Sequence, residues 1–295
     1  AEWGIDLAEF ASEEVGDADA EPQIDKAAEL NKKWGVVSGD LWQIGEHRLL
    51  CGSCTDKDAV GRLMGQDLID LCVTSRPYNS GDGGFKTDYY GKTKRFYQDD
   101  TDDRTEQEWV EFCEDVLLTC SEYVRSDESP IIWNVMYNAR CRAGYGQVLF
   151  RGVQPFTVKE TICWDKGHGF PTASKGILSR NWELVFVLSK GEKYTTTQGD
   201  NEPRWCKWDI ARPEQQEENH KATFPIGLPE RAIDDFSFKN STVYDPFTGS
   251  GTTMVAAANR ARKFLGCELS EEYCAVILER MATAFPDIEI KKLDG

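Results

Sequence analysis

One stretch of the chain constrains its fold more than any other: Val243-Tyr-Asp-Pro-Phe-Thr-Gly-Ser-Gly-Thr-Thr253, followed at once by helix-forming alanines. A strand that runs through a glycine turn into a helix N-terminus lets backbone approach a ligand, with free N–H groups facing its anionic end. A glycine turn alone reads equally well as a structural connection. Two acids narrow the choice. Asp245 stands at the strand tip, and the next apolar run, Phe264-Leu-Gly-Cys-Glu268, ends in Glu268, where doubly wound sheets hold a ribose diol.

Strands and helices alternate around this unit. Apolar runs at 69–74, 131–135, 157–164, 182–188, 243–244 and 264–267 predict strands, and helices are predicted over 56–64, 105–124, 139–150, 228–236, 253–261 and 271–284. The pattern implies an α/β sandwich around a mostly parallel, doubly wound sheet. The glycine-punctuated run 39–51 predicts short strands. Residues 80–105, aromatic and charged without a period, and 165–220, polar with a Gly/Ser-rich start, read as insertions, and long loops in compact domains are usually functional. Residues 1–35 read as an acidic linker or the tail of a missing upstream domain, with a short helix near 26–33, and 286–295 as a C-terminal tail.

Composition excludes several classes. In 295 residues, 40% hydrophobic and 11% aromatic content suffices for a core, against disorder or a collagen-like chain. With no run of 18 apolar residues and no leader-like N-terminus, the expectation is a soluble, cytoplasmic protein without membrane contact. The net charge of −17 resides in two segments: ten acids against one base in 1–30, and nine against one in 99–115. Everything else is balanced, which disfavours tight non-specific nucleic-acid binding but leaves room for a local neutral or basic cleft. The ten cysteines read as reduced thiols. Cys51-Gly-Ser-Cys54 has ligand spacing but no second pair at zinc-ribbon distance, so no metal is expected, and Cys51 and Cys72 read as small apolar residues on buried strands.

A second chemical segment ends the strand Ile69-Asp-Leu-Cys-Val-Thr74, which stops abruptly at Ser75-Arg-Pro-Tyr78. Asp245-Pro-Phe-Thr-Gly-Ser-Gly-Thr-Thr253 with Glu268 resembles the S-adenosylmethionine-binding motif of DNA methyltransferases that modify exocyclic amino groups. Ser75-Arg-Pro-Tyr78 resembles their catalytic (Asp/Asn/Ser)-Pro-Pro-(Tyr/Phe) motif, and it lies about 170 residues before the cofactor motif, the order of the circularly permuted β group. His220-Lys-Ala-Thr-Phe-Pro225 with Leu228-Pro-Glu-Arg-Ala-Ile233 resembles the segment lining the methionine end of the cofactor, and Asn181 to Lys190 a late strand of the catalytic domain. The run from Trp34 through Gly52 is similar to methyltransferases fused behind a ParB-like nuclease domain, which implies such a domain upstream.

The resemblance implies a Rossmann-like class I methyltransferase fold over 36–285, with target-recognition or DNA-contact insertions at about 80–105 and 165–220. It implies S-adenosylmethionine held by Asp245, Phe247, Gly249, Gly251, Thr252 and Glu268, with Ser53 and Thr223 also at the cofactor, and double-stranded DNA as partner. It makes Ser75, Arg76, Pro77 and Tyr78 the catalytic set. An exocyclic amine conjugated to its ring is a poor nucleophile and is hidden in a duplex, so the base must be flipped out. Ser75 Oγ and the Arg76 carbonyl would accept its two hydrogens and align nitrogen with the sulfonium methyl, while Tyr78 stacks on the base. Lys86, Lys92, Lys94, Arg95, Lys175 and Arg180 fit DNA-facing loops, as do Lys166 and His168, against the plainer reading of solvated loops.

The chain departs from the family pattern at two places. Arg76 replaces the usual proline, and Ser53 stands where an acid commonly contacts the adenine. Arg76 reads as an engineered or inactivating change, as a phosphate contact, or as a sign of a donor carrying a carboxylate, namely carboxy-S-adenosylmethionine. Ser at the first catalytic position and the Ala-Thr-Phe-Pro segment favour cytosine N4 over adenine N6. A catalytically silent DNA-binding relative is the rival reading, and a small-molecule or RNA methyltransferase a third.

Overall fold

The computed structural model describes residues 18–75, 86–87, 93–94, 104–135, 142–150, 153–167, 181–197, 205–211 and 224–293. In chain order the elements are α1 (Ala27–Trp34), β1 (Leu41–Ile44), β2 (His47–Cys51), α2 (Lys57–Met64), β3 (Leu71–Ser75), β4 (Lys86–Thr87) and β5 (Thr93–Lys94). Then come α3 (Glu106–Tyr123), β6 (Ile131–Val135), α4 (Arg142–Tyr145), a π turn at Gly146–Phe150, β7 (Thr157–Asp165), β8 (Trp182–Ser189) and β9 (Lys207–Asp209). The chain closes with α5 (Gly227–Phe236), β10 (Thr242–Asp245), α6 (Thr252–Asn259), β11 (Lys263–Glu268), α7 (Glu271–Ala284) and β12 (Ile290–Leu293).

The helix starts follow capping chemistry. Asp56 accepts the N–H groups of Asp58 and Ala59 at α2, Thr105 and Glu108 form a reciprocal capping box at α3, and Ser270 accepts from Tyr273 at α7. Ten strands form one sheet in the order β12-β1-β2-β11-β10-β3-β6-β8-β7-β9. The central run β2-β11-β10-β3-β6 is parallel throughout. Antiparallel pairs flank it, β12-β1-β2 on one side and β6-β8-β7 on the other. The parallel strands are apolar on both faces because both are covered. Residues of α1, α5, α6 and α7 share one core with Val73, Ile132 and Val243, while α2 and α3 share the other with Leu50, Cys72 and Tyr244.

Four segments differ in detail from the sequence reading. Residues 18–35, read as a linker or the tail of an upstream domain with a short helix near 26–33, are packed against the fold: α1 packs on α7, Lys33 Nζ and Trp34 Nε1 donate to Glu279, and Asn259 exchanges two hydrogen bonds with the Ala18 backbone. The supposed C-terminal tail contains β12, an edge strand paired in register with β1. Within the 165–220 insertion, β9 adds a parallel strand to β7. The predicted helix over 139–150 is one α turn and a π turn, with Gly144 fitted so tightly against α3 that a Cβ would lie 2.9 Å from Val110. Cys51 and Cys72 are buried on their strands without a disulfide, as small apolar residues should be. No described helix is long and apolar enough to cross a membrane.

Candidate active site

Parallel strands place their carboxyl ends on one edge, and a doubly wound sheet binds ligands there. Across this edge lie, in spatial order, Ser53 after β2, Glu268 ending β11, Asp245 and the glycine loop after β10, Ser75 ending β3, and Asn134 near the tip of β6. Neighbouring strands are about 4.8 Å apart, so the edge from Glu268 to Ser75 spans roughly 10 Å, about the length of a nucleoside with a short side chain.

The glycine loop is shaped by its own residues. Gly249 and Gly251 take φ of +56° and +87°, which a side chain rarely tolerates, and α6 begins directly after them. Asp245 organises the loop from below. It is only 1% exposed, and its Oδ1 accepts from Thr74 Oγ1 at 2.8 Å and from the Phe247 N–H at 3.0 Å, while Oδ2 accepts from Thr253 Oγ1 at 2.7 Å. One carboxylate thus ties the last residue before Ser75, the loop and the first turn of α6. Burial raises its pKa to about 6 against the pull of those donors.

Glu268 faces the loop from the next strand. Its Oε2 accepts from Gly249 N–H and its Oε1 from Ser270 N–H, each at 2.9 Å, and burial raises its pKa to about 7. The Leu269 N–H adds a third backbone donor to the carboxylate, and together these donors offset part of the cost of its burial. Ser53 sits past the tip of β2, where Cys51 registers with Glu268; its Oγ lies 2.9 Å from Thr55 Oγ1. The Phe247 ring leans on Phe112 of α3 with centroids 5.7 Å apart. The Thr252 hydroxyl turns inward and accepts from Arg280 Nη1 at 3.0 Å. A cavity is lined by Val73, Asn134, Val185, Trp208, Phe224 and Leu228, between β3, β6 and β8 of the sheet and α5.

The sheet therefore brings Ser53, Ser75, Asp245, Phe247, Gly249, Gly251, Thr252 and Glu268 to one edge, although the side chains of Asp245 and Thr252 are occupied inside the protein. Arg76, Pro77, Tyr78, Thr223, Lys92, Arg95, Lys175, Arg180 and His168 lie outside the described residues, and of Lys86 and Lys94 only the paired backbone of β4 and β5 is described. Lys166 is a correction: it is 8% exposed and ion-paired with Glu183 across β7 and β8, so it is not a DNA-facing cation. Sequence reasoning missed Thr74, Thr253, Gly266 and Arg280. Gly266 carried a signal, a lone glycine inside a strand. A Cβ there would meet Thr248 Oγ1 at 2.3 Å, so the strand yields room to the loop. Arg280, 5% exposed on α7, holds the loop from behind through the Ser250 carbonyl at 3.0 Å, and its other nitrogen bridges to Asp19 at 2.7 Å.

A glycine loop and a ribose-type acid on adjacent parallel strand tips define the Rossmann-like class of α/β proteins. The family follows from comparison. The DNA methylase family (N6_N4_Mtase) matches residues 69–279, and the chain belongs to it. It is 25% identical over 264 residues to the orphan methyltransferase M.BamHII of Bacillus amyloliquefaciens, covering 74% of this chain and 90% of the relative. To the type II methyltransferase M.SmaI of Serratia marcescens it is 31% identical over 135 residues, 42% of this chain and 46% of that protein, so the match spans less than half of this relative. The DNA adenine methyltransferase YhdJ of Escherichia coli is 25% identical over 251 residues, 73% of this chain and 77% of the relative. Among solved structures, the cytosine-N4-specific PvuII DNA methyltransferase superposes with a TM-score of 0.57 at 17% identity, covering 82% of this chain and 89% of that one, a likeness of fold.

Proposed function

We propose that this chain transfers the methyl group of S-adenosylmethionine to an exocyclic amino group of a base flipped from double-stranded DNA, with cytosine N4 favoured over adenine N6. The observation that carries this reading is the bond from Thr74 to Asp245, which fixes the Ser75 strand tip beside the glycine loop. Glu268 would take the ribose hydroxyls, and Gly249 and Gly251 would admit the cofactor to the backbone. Ser75 Oγ and the Arg76 carbonyl would accept the two amino hydrogens, turning the nitrogen lone pair towards the methyl carbon. As the N–C bond forms, the S–C bond breaks with its electron pair left on sulfur, and the nitrogen then loses a proton to water. Tyr78 would stack on the base, and Lys86, Lys92, Lys94, Arg95, Lys175 and Arg180 would meet phosphates.

Family membership supports the reaction class, while the relatives include both an adenine enzyme and a cytosine-N4 enzyme. The test is labelled methyl transfer to mixed-sequence DNA, followed by mass spectrometry of the nucleosides. N4-methylcytosine is expected. N6-methyladenine would reverse the base assignment, and cofactor binding without transfer would favour a silent DNA-binding relative.

Arg76 favours a second reading of the donor. A guanidinium at this position of the motif could bind a carboxylate bidentately, as carboxy-S-adenosylmethionine would present, giving a carboxymethylated amine and the same thioether product. Offering both donors to the protein and to Arg76→Pro decides it: the idea fails if the carboxylated donor is unused, or if Arg76→Pro does not shift preference towards plain methyl transfer.

A further inference from the structure

We propose that the N-terminal segment sets the affinity of the cofactor site, with Asp19 as a positioning residue that holds the Arg280 guanidinium on the glycine loop. The proposal rests on the placing of the cofactor at that loop given above. Arg280 leaves α7 with its two terminal nitrogens turned to different parts of the chain. Nη1 donates to the Ser250 carbonyl and to Thr252 Oγ1, each at 3.0 Å, and Nη2 donates to Asp19 Oδ1 at 2.7 Å. The loop thus supplies neutral acceptors, while the counter-charge comes from a residue 261 positions earlier in the chain.

Arg280 is buried and a guanidinium does not deprotonate, so its charge must be matched where it stands. Asp19 is the carboxylate paired with it among the described residues. The guanidinium is planar and rigid, so a hydrogen bond at one terminal nitrogen fixes the direction of the other. Without the carboxylate the group would tilt towards water, and the loop would lose the donor behind Ser250. That donor matters because the Ser250–Gly251 peptide is gripped at both ends, its carbonyl by Arg280 and its N–H by the Thr248 carbonyl at 2.9 Å. Just before it, Gly249 N–H donates to Glu268, the acid assigned to the ribose. A shift at the rear contact therefore reaches the cofactor face within two residues.

Asp19 is itself held in place. The backbone of Ala18, beside it, exchanges hydrogen bonds of 3.2 and 2.8 Å with Asn259, the last residue of α6. At the far end of the segment, Lys33 and Trp34 donate to Glu279, the neighbour of Arg280 on α7, and between these ties α1 lays Ala27 and Leu30 into the core. The segment is pinned to the two helices on which the loop is built: α6 starts from the loop, and Gly251 lies so near α7 that a Cβ would be 3.2 Å from Ile277. Coupling of this kind is reciprocal. What the segment does for the cofactor, bound cofactor must do for the segment.

The test uses the full chain, with calorimetry of S-adenosylmethionine binding and steady-state methyl transfer to mixed DNA. Asp19→Asn keeps the shape and removes the charge. It is expected to weaken cofactor affinity and raise the KM for S-adenosylmethionine about 5- to 20-fold, low in the range for coupled sites because Asp19 is half-exposed, with kcat within about twofold of the parent. In an Arg280→Met background the same change should cost less than about twofold, because no charge remains to hold. Should Arg280→Met fail to fold, Arg280→Gln serves in the same cycle. Lys33→Ala removes another tie between the segment and α7 without touching Arg280, and it should bind cofactor as the parent does. In hydrogen exchange, cofactor should slow the amides of residues 18–34 in the parent and not in Asp19→Asn. Parent-like affinity in Asp19→Asn, equal losses with and without Arg280, an equal loss in Lys33→Ala, or no cofactor-dependent protection of the segment would each overturn the proposal. Gly249→Val with parent affinity would instead overturn the placing of the cofactor at the loop, and that single variant tells the two failures apart.

Discussion

Glu268 is a carboxyl poised at neutrality. Its acid form dominates below about pH 7 in the free protein, yet a ribose diol needs the carboxylate as acceptor. Cofactor binding should therefore release a proton below that pH, and affinity should fall up to about tenfold per pH unit on the acid side while staying flat above it. Calorimetry in buffers of differing ionisation enthalpy measures the released proton directly. Glu268→Ala is expected to weaken binding by about 1.5–3 kcal/mol and to flatten the acid limb; an unchanged affinity would remove Glu268 from the site. The same raised pKa has an opposite sign for stability. A carboxyl that is easier to protonate when folded stabilises the free protein in acid, and this contribution is lost as pH rises from about 4.5 to about 7. Asp245, raised from 3.8 to about 6, adds to the same trend.

At the scale of elements, the seam between β2 and β11 and the fit of the glycine loop carry the site. His47 is 4% exposed, and its Nδ1 accepts from the Phe264 N–H at 3.1 Å. Burial, with Lys263 nearby, lowers its pKa from 6.5 to about 4, so its neutral form supports the fold and that support is lost as pH falls through this window. His47→Gln, which retains an acceptor without titrating, should therefore gain thermal stability relative to the parent at about pH 5 compared with about pH 8. No pH-dependent difference between the two unfolding curves would sink this. Gly266→Ala should drive Thr248 off β11. A destabilisation of about 1–3 kcal/mol in thermal unfolding, with weakened cofactor binding, is expected; a variant matching the parent in both would show that the loop yields freely. The central strands and most helices were legible because burial on both faces writes continuous apolar runs such as Leu71-Cys-Val and Val243-Tyr. Lys207-Trp-Asp and Ile290-Lys-Lys-Leu were not, since an edge strand buries little and keeps its charges. Asp245 was legible as an acid at a strand tip but not as an internal hub, because its partners Thr74 and Thr253 are 171 and 8 residues away and carry no pattern of their own.

For the whole molecule, the order of the strands is the consequential feature. β10 lies between β3 and β11, although β3 precedes it by more than half the chain. Seen as a schedule of synthesis, the strand ending in Ser75 leaves the ribosome about 10 to 30 s before the strand that must lie beside it, at ordinary elongation rates. During that interval one side of β3 is an open, apolar edge, a template for unwanted pairing. A chain ending at Asn240 is accordingly expected to be insoluble, or retained by chaperones, when made alone, while the full chain is not. A soluble fragment with a cooperative melting transition would contradict this. The Ser75 strand tip and the glycine loop are thus made at well-separated moments, and a growing chain has no joined cleft until its last quarter has arrived.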